Sequence, residues 1–490
     1  MWRMFELRPA RQATPLADIC RILRLPAQQG TVTGLCLDSR VIQPGDMYAA
    51  LPGEHTHGAK FVKQAIAAGA TAVVTDFDGA ALLEQVDVPV LVVPYPREAL
   101  GALAQRIFGG ARPQLVGVTG TNGKTTTTHF IAAVAESADV PSAILGTLGI
   151  RYRDLSVYSG RTTPEAPALH AALQTVAEHG AQIAAMEVSS HALALHRIDG
   201  VRFDVAVFLG LTQDHLDFHG SMEEYFKAKA RLFDPQIARR GVINVDDDWG
   251  RRLASETIIE HVTYSMSGDA DWTARDVEST SGRTSFIAVG PEITLPVTLA
   301  LPGGFNVANA LAALATAHAL GMDLGRAAIG LSTVQVPGRF ESIPNTRGIA
   351  AYADYAHTPD AVARVLAVAR TATQGRLLAV LGCGGDRDPS KRPLMGAAAA
   401  AGADLVIVTD DNPRSEDPAT IRAAVLHGIT DMSRVQEIGD RAAAIARAVE
   451  IAEPGDCIMV LGKGHEIGQE IAGVTHPFDD REVLREKLNA

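Results

Sequence analysis

Short uninterrupted apolar runs alternate along this chain with longer segments in which Ala and Leu recur at helical spacing. Leu115-Val116-Gly117-Val118-Thr119 is such a run, and it reads as a buried strand followed by a Gly-containing turn and a helix through about residue 135. Further strand-like runs fall at 72–75, 90–93, 183–188, 205–209, 242–245, 377–381, 405–408 and 458–461, separated by Ala-rich helical stretches that include 306–320. Strand–helix alternation of this kind predicts an α/β fold, with mostly parallel sheets covered on both faces. Residues 261–300 carry alternating β-branched positions and predict a small antiparallel insertion. Val336-Pro337-Gly338 breaks the pattern and marks a linker. With 490 residues the chain is too long for one core. The expected division is a first domain over 1–111, a central domain over 112–336 and a third over 337–490.

Composition narrows the function. Hydrophobic residues make up 47% and charged residues 20%, an ordinary globular balance. The 44 Lys+Arg against 56 Asp+Glu leave a net charge of −12, which argues against nucleic acid held by bulk charge. No apolar run reaches the ~18 residues of a bilayer span, and the first residues lack a signal-peptide core, so neither membrane insertion nor secretion is expected. Cys20, Cys36, Cys383 and Cys457 are scattered without C-x-x-C or zinc spacing, as expected of reduced structural thiols in the cytoplasm.

The chemistry centres on Thr119-Gly120-Thr121-Asn122-Gly123-Lys124-Thr125-Thr126, placed between a strand and a helix where a phosphate cradle belongs. Position 118 is Val, so the loop is a shorter G-T-N-G-K-T variant of the usual phosphate loop. Lys124 suits the β/γ-phosphates and the Thr125 hydroxyl suits Mg²⁺. Glu187 ends a strand-like run, which aims its carboxylate at the carboxyl edge of a sheet and makes it a candidate Mg²⁺ ligand. His215 and His219 are four apart, but without an H-E-x-x-H glutamate the pair argues for a structural His219 rather than zinc. Lys227 and Lys229, on an amphipathic stretch, read from pattern alone as a solvated face. Asp411-Asn412-Pro413-Arg414 reads from spacing as a polar turn before a helix starting near Pro418, with Asp417 as its N-cap. Gly462-Lys463-Gly464-His465-Glu466 lacks the Lys-Thr/Ser pair of a second phosphate loop and reads as an amino-acid-binding loop.

Taken in order, these segments resemble the Mur ligases. The resemblance runs through Leu37-Asp38-Ser39-Arg40, the G-T-N-G-K-T loop, Thr162-Thr163-Pro164, Met186-Glu187-Val188-Ser189-Ser190-His191, Asp214-His215-Leu216-Asp217 and Asn306-Val307-Ala308-Asn309-Ala310. It continues through Asp354-Tyr355-Ala356-His357-Thr358-Pro359, Gly384-Gly385-Asp386-Arg387-Asp388 and the D-N-P-R segment. It implies three domains: an N-terminal UDP-substrate-binding domain, a central domain with a P-loop ATPase-type parallel sheet, and a Rossmann-like C-terminal domain for the amino acid. The D-N-P-R segment is similar to that of family members that add meso-diaminopimelate to UDP-N-acetylmuramoyl-L-alanyl-D-glutamate, using ATP and Mg²⁺, through an acyl phosphate, in cytoplasmic peptidoglycan precursor synthesis.

The resemblance further implies roles. Lys124, Glu187, His215 and Lys229 would be catalytic, with Lys229 as a carbamate. That carbamate would position Mg²⁺ beside Thr125, Glu187 and His215. Gly120, Thr121, Asn122, Gly123, Lys124, Thr125, Thr126, Asn306, Asn309, Arg339 and Asp354 would bind ATP. Leu37, Ser39, Glu54, His55, Thr56, Thr162, Thr163, Ser189 and Arg197 would hold the UDP-muramoyl-dipeptide. Arg387, Asp411, Asn412, Pro413, Arg414, Gly462 and Glu466 would hold diaminopimelate, Arg414 forking onto the far carboxylate while Asp411 or Asn412 accepts from the ammonium. Two positions depart from the family pattern: Arg161 stands where members often carry Asn, and Leu195 where a substrate-contacting Gln is usual. The expected partners are small molecules only and the expected state is a monomer. Alternatives are a lysine-adding ligase or folylpolyglutamate synthetase of the same family, a P-loop ATPase acting on a partner, and a non-catalytic nucleotide sensor.

Overall fold

The computed structural model of the chain describes residues 2–3, 7–10, 12–53, 56–110, 112–158, 160–280 and 282–490. Apolar runs that pair on both edges become the strands of three larger sheets. The first is parallel and four-stranded, ordered Gly34–Cys36, Asp46–Ala50, Ala72–Thr75, Val90–Val92. In the second, twelve-stranded sheet, the parallel strands Ser142–Gly146, Ile183–Glu187, Gln114–Thr119, Phe203–Phe208, Ala238–Asn244 and Glu260–Ser265 lie side by side in that order. The predicted antiparallel segment is present as Trp272–Ser279, Thr284–Gly290 and Ile293–Leu299, and it extends the edge of this sheet instead of standing apart. Gly149–Tyr152 and Leu155–Tyr158 extend the other edge, where the backbone of Trp2–Arg3 pairs in parallel with Val157 and Tyr158. The third sheet orders Glu341–Ser342, Ala350–Asp354, Cys457–Leu461, Leu377–Leu381, Leu405–Val408 and Val435–Glu437, all parallel after the first pair.

Strand alternation sends side chains to opposite faces of the central sheet. Val116, Val118, Val205, Val207 and Val242 pack against Phe130, Ile131 and Val134 of the helix Lys124–Ser137 and against the helix Gly304–Ala319. Leu115, Phe203, Ala206, Phe208 and Ile243 face the helices Ala166–Glu178 and Met222–Ala230. Gly304–Ala319 is apolar almost all round because it is sandwiched between the sheet and the phosphate-loop helix. This covered parallel sheet is the α/β class expected from the apolar runs. The third sheet is covered likewise by helices on both faces. The four cysteines are buried and unpaired. No helix among the described residues is long and apolar enough to cross a membrane.

One buried ion pair holds the third sheet to its flanking helices. Arg441 and Asp480 are fully buried, with Nε and Nη2 of Arg441 each 2.7 Å from an Asp480 oxygen. Arg441 also donates to the carbonyls of Leu461 and Asp410, which fixes the loops leaving two strands of this sheet that flank Leu377–Leu381. Replacing Arg441 with Met leaves Asp480 as an unpaired buried charge. We expect a loss of about 3–5 kcal/mol in urea unfolding of this region. Lys63→Ala, which breaks an exposed pair with Glu84, should leave the urea midpoint unchanged.

Candidate active site

Three neighbouring strands of the central sheet deliver the site from their carboxyl ends. The strand Gln114–Thr119 runs into the phosphate loop, where Gly123 takes φ +86° just before the helix Lys124–Ser137. A side chain at 123 would need that left-handed backbone and would put its Cβ 2.6 Å from Asn309 Oδ1. The free N–H groups of the helix's first turn and its dipole then face the loop, as anion binding requires. Asn309 sits behind, its Oδ1 accepting from the Thr127 hydroxyl and its Nδ2 donating to Asn306. The Thr121 hydroxyl donates to the Thr212 carbonyl.

Two lysines converge on this loop. Lys124 Nζ donates to the carbonyls of Gly120 and Thr121 at 2.9 Å each, and Lys229 Nζ donates to the same Gly120 oxygen at 2.9 Å. Lys229 is 1% exposed, so the solvated face suggested by its helix pattern holds for Lys227 but not for Lys229. Burial depresses the pKa of both amines; Glu187 and Asp214 partly counter it at Lys124, whereas at Lys229 the nearby Lys124 adds to it. Lys229 is thereby biased toward the neutral amine, the form that can react with CO₂.

Glu187, last residue of its strand and 1% exposed, accepts from Thr147 N at 2.8 Å, from the Thr147 hydroxyl at 3.0 Å and from the Thr125 hydroxyl at 3.1 Å. Past the strand Phe203–Phe208, His215 adopts φ +54° and its Nε2 lies 3.5 Å from Asp214. Partial burial lowers the His215 pKa and favours the neutral ring, despite the opposing charge of Asp214. Burial would raise the Asp214 pKa, but Lys391 and the hydrogen bond from the His215 backbone N–H outweigh it and keep the group ionised. His219 hydrogen-bonds the Ser190 hydroxyl at 2.9 Å, a structural role. The Thr125 hydroxyl and Glu187 carboxylate are oxygen donors of the kind Mg²⁺ takes. Among the described residues no three His, Cys, Asp or Glu side chains form a preformed metal cluster, so such an ion would need phosphate oxygens to complete its shell.

Thr163 is buried and donates to the Glu187 carbonyl at 2.8 Å, while Ser189 caps the short helix Ser190–Ala194. The Thr162 hydroxyl is 3.1 Å from that of Thr147, so Thr147, which the sequence reading did not single out, links Glu187 to Thr162. Arg197 Nε lies 3.0 Å from Glu165, which Arg97 also meets at 3.0 Å and Arg161 approaches at 3.7 Å. Leu195 follows the same short helix, half-buried. In the first sheet's unit Leu37 is half-buried, the Ser39 hydroxyl donates to Gln64, and the buried hydroxyl of Thr56 has no partner among the described residues. Glu54 and His55 lie outside the described residues.

The third sheet brings its own carboxyl ends to the same place. Arg339 Nη2 donates to the Thr125 hydroxyl at 3.0 Å, and its guanidinium stacks 4.4 Å from the Tyr355 ring. Asp354 accepts from the backbone N–H groups of Phe340 and Ala356, so its carboxylate anchors the linker. Asn122 reaches Asp360 at 3.3 Å, and Lys391 lies 3.8 Å from Asp214, a contact no motif announced. Asp411 and Asn412 are buried around Lys463 and are not a free polar turn, although Asp417 does cap the helix Pro418–Leu426. Asn412 Oδ1 accepts from Lys463 and from Glu470 N, which occupies both its lone pairs and leaves carboxylates to accept from a ligand ammonium. Arg414, at φ +54°, donates to the Gly385 carbonyl and lies 3.5 Å from Glu470. Pro413 is buried; Arg387 is exposed and donates to the Asp386 carbonyl. Gly462, at φ +115°, packs where a Cβ would press on Asp411, and Glu466 accepts from Asn412.

A model for the Mur ligase middle domain matches residues 118–317, one for the Mur ligase glutamate ligase domain matches 338–464, and one for the Mur ligase family catalytic domain matches 31–107. A UDP-N-acetylmuramoyl-L-alanyl-D-glutamate–2,6-diaminopimelate ligase of Streptomyces coelicolor is 49% identical over 98% of both chains, and one of Corynebacterium glutamicum is 48% identical over 94% of this chain and 93% of its own. A solved structure of a ligase of that name aligns at 35% identity with a TM-score of 0.66, covering 97% of this chain and 99% of the other.

Lys229→Arg keeps N–H donors at this position but places a fixed charge where the site favours a neutral amine. It should lower turnover by about 10² or more, the scale of losing one preorganised electrostatic group, measured on a variant whose circular dichroism shows it folded.

Proposed function

The chain belongs to the Mur ligase family, and on that premise we propose how it joins meso-diaminopimelate to UDP-N-acetylmuramoyl-L-alanyl-D-glutamate. It is an ATP-dependent ligase of peptidoglycan precursor synthesis, releasing ADP and phosphate, and the family's ATP comes with Mg²⁺. One observation carries the reading: the carboxyl ends of two parallel sheets meet, so that Arg339 beyond the linker touches Thr125 of the phosphate loop. The three sheets support a UDP-substrate domain over 1–111, an ATP-binding domain over 112–336 and an amino-acid domain over 337–490.

A carboxylate is a poor acylating agent because its carbonyl is weakly electrophilic and its leaving group would be an oxide. An oxygen of the D-glutamate side-chain carboxylate attacks the γ-phosphorus of ATP, the bond to the β-phosphate oxygen breaks, and an acyl phosphate forms. The diaminopimelate amine then attacks the carbonyl carbon, loses a proton, and expels phosphate. Two unit charges about 4 Å apart repel by roughly 4 kcal/mol at an effective dielectric of 20, so carboxylate and triphosphate need local positive charge on this acidic chain. Lys124, Arg339 and the helix N-terminus at Thr125 and Thr126 supply it, and Gly120, Thr121, Asn122 and Gly123 shape the loop. Asn306 and Asn309 border the nucleotide, and Asp354 keeps Arg339 in place by holding the linker backbone. Thr125, Glu187, His215 and Lys229 as its carbamate would hold Mg²⁺, which when bound neutralises phosphate charge. Closure of the third domain over the central one keeps water from the acyl phosphate.

Leu37, Ser39, Glu54, His55 and Thr56 take the uridine diphosphate end, and Thr162, Thr163, Ser189 and Arg197 the muramoyl dipeptide. Arg414 and Arg387 face the far carboxylate of diaminopimelate, while Asp411 and Glu466 face its ammonium, with Asn412, Pro413 and Gly462 shaping the pocket. L-Lysine lacks that carboxylate and would leave Arg414 unmatched, which favours diaminopimelate over the lysine-adding alternative. We read the enzyme as a cytoplasmic monomer, and its four unpaired thiols support the cytoplasmic part of that reading.

Purified enzyme with ATP and the UDP-dipeptide should release phosphate with meso-diaminopimelate and not with L-lysine; equal turnover with both would remove the assigned specificity. Lys124→Ala should abolish ligation, and surviving activity would mean the phosphate loop is misassigned.

A further inference from the structure

Lys463 lies two residues beyond the strand Cys457–Leu461 and is completely buried. Its ammonium donates to Asn412 Oδ1 at 2.8 Å, lies 3.4 Å from Glu466 Oε2 and 3.5 Å from Asp411 Oδ1. Asn412 Nδ2 completes the ring by donating to the same Glu466 oxygen at 2.9 Å. One cation therefore serves two carboxylates that come from two different loops. Of the neighbouring cations, Arg441 is already matched by Asp480 at 2.7 Å, and Arg414 is the group that the proposed function assigns to the ligand's far carboxylate.

We propose that Lys463 is a positioning residue that sets the charge of the amine pocket, leaving Asp411 and Glu466 together with one uncompensated negative charge that a ligand's single ammonium matches. The inference rests on the diaminopimelate reading of the pocket and adds a cause for its selectivity. Without Lys463, two carboxylates face each other at low exposure and one of them takes up a proton or turns away. Burial and Asp411 already raise the Glu466 pKa, and Lys463 is the charge that opposes this. Asn412 would lose its strongest partner at the same time, so the loop that carries Arg414 would lose its register against the Gly462 loop.

The test compares Lys463→Met, Glu466→Gln and the double variant in the intact enzyme, varying each substrate in turn. Lys463→Met should raise the KM for diaminopimelate at least about 30-fold, the scale for removing one partner of a buried charge pair, with the KM for ATP within about twofold. The double variant again carries one negative charge and should recover diaminopimelate KM relative to Lys463→Met. An unchanged diaminopimelate KM in Lys463→Met, or effects that simply multiply in the double variant, would overturn the inference. Should Lys463→Met fail to fold, the double variant is expected to restore folding, and a double variant that also fails overturns it. Native enzyme that uses another amine in place of diaminopimelate overturns the substrate reading, whereas native enzyme that uses diaminopimelate beside a Lys463→Met of normal KM overturns this inference alone.

Discussion

A single carbonyl oxygen, that of Gly120, receives hydrogen bonds from both Lys124 and Lys229. The two amines are thus no farther apart than two hydrogen bonds, in a buried place. Two unit charges about 5 Å apart repel by roughly 3 kcal/mol at an effective dielectric of 20, so one amine is pressed toward neutrality. Lys124 has Glu187 and Asp214 to favour its charge, while Lys229 has Asp214 alone and feels Lys124. On the proposed function this gives a division of labour: a charged lysine for phosphate and a neutral one open to CO₂. Everything else at the site arranges itself around this pair, from the Thr125–Glu187–Thr147 chain to the half-exposed imidazole of His215.

The second constraint is topological. Each parallel sheet aims its carboxyl-end loops one way, and the short linker at residues 336–338 turns the third sheet so that its loops face those of the second. Arg339–Thr125, Asn122–Asp360 and Lys391–Asp214 are the contacts that tie the two faces. An acid and an amine held by separate units can meet at the nucleotide only in such an arrangement, and the buried Arg441–Asp480 pair stiffens the amine-bearing loops from beneath.

Strands buried on both sides were readable almost to the residue: 377–381 and 405–408 appear as Leu377–Leu381 and Leu405–Val408, because continuous apolar runs admit few other placements. The phosphate loop was readable because its geometry demands glycine at 123 and lysine beside it. Lys229 was not readable from pattern, since a lysine on an amphipathic helix looks solvated until the Gly120 carbonyl is folded over it. Thr147 escaped notice for a related reason, and Lys463 was seen only as part of the Gly462–Glu466 amino-acid loop. Their roles are to serve other side chains across the fold, and no local spacing records that. Lys391 and Arg441 likewise gain their meaning only when distant loops are brought together.

The account stands on the acid being energised by transfer of the nucleotide's terminal phosphoryl group at the Lys124 site. Oxygen-18 placed in the D-glutamate side-chain carboxylate of the UDP-dipeptide tests this directly, by mass analysis of the phosphate released during ligation. One labelled oxygen per phosphate is the expected result. Phosphate free of label would contradict the account, because the carboxylate oxygen would then have left by another route.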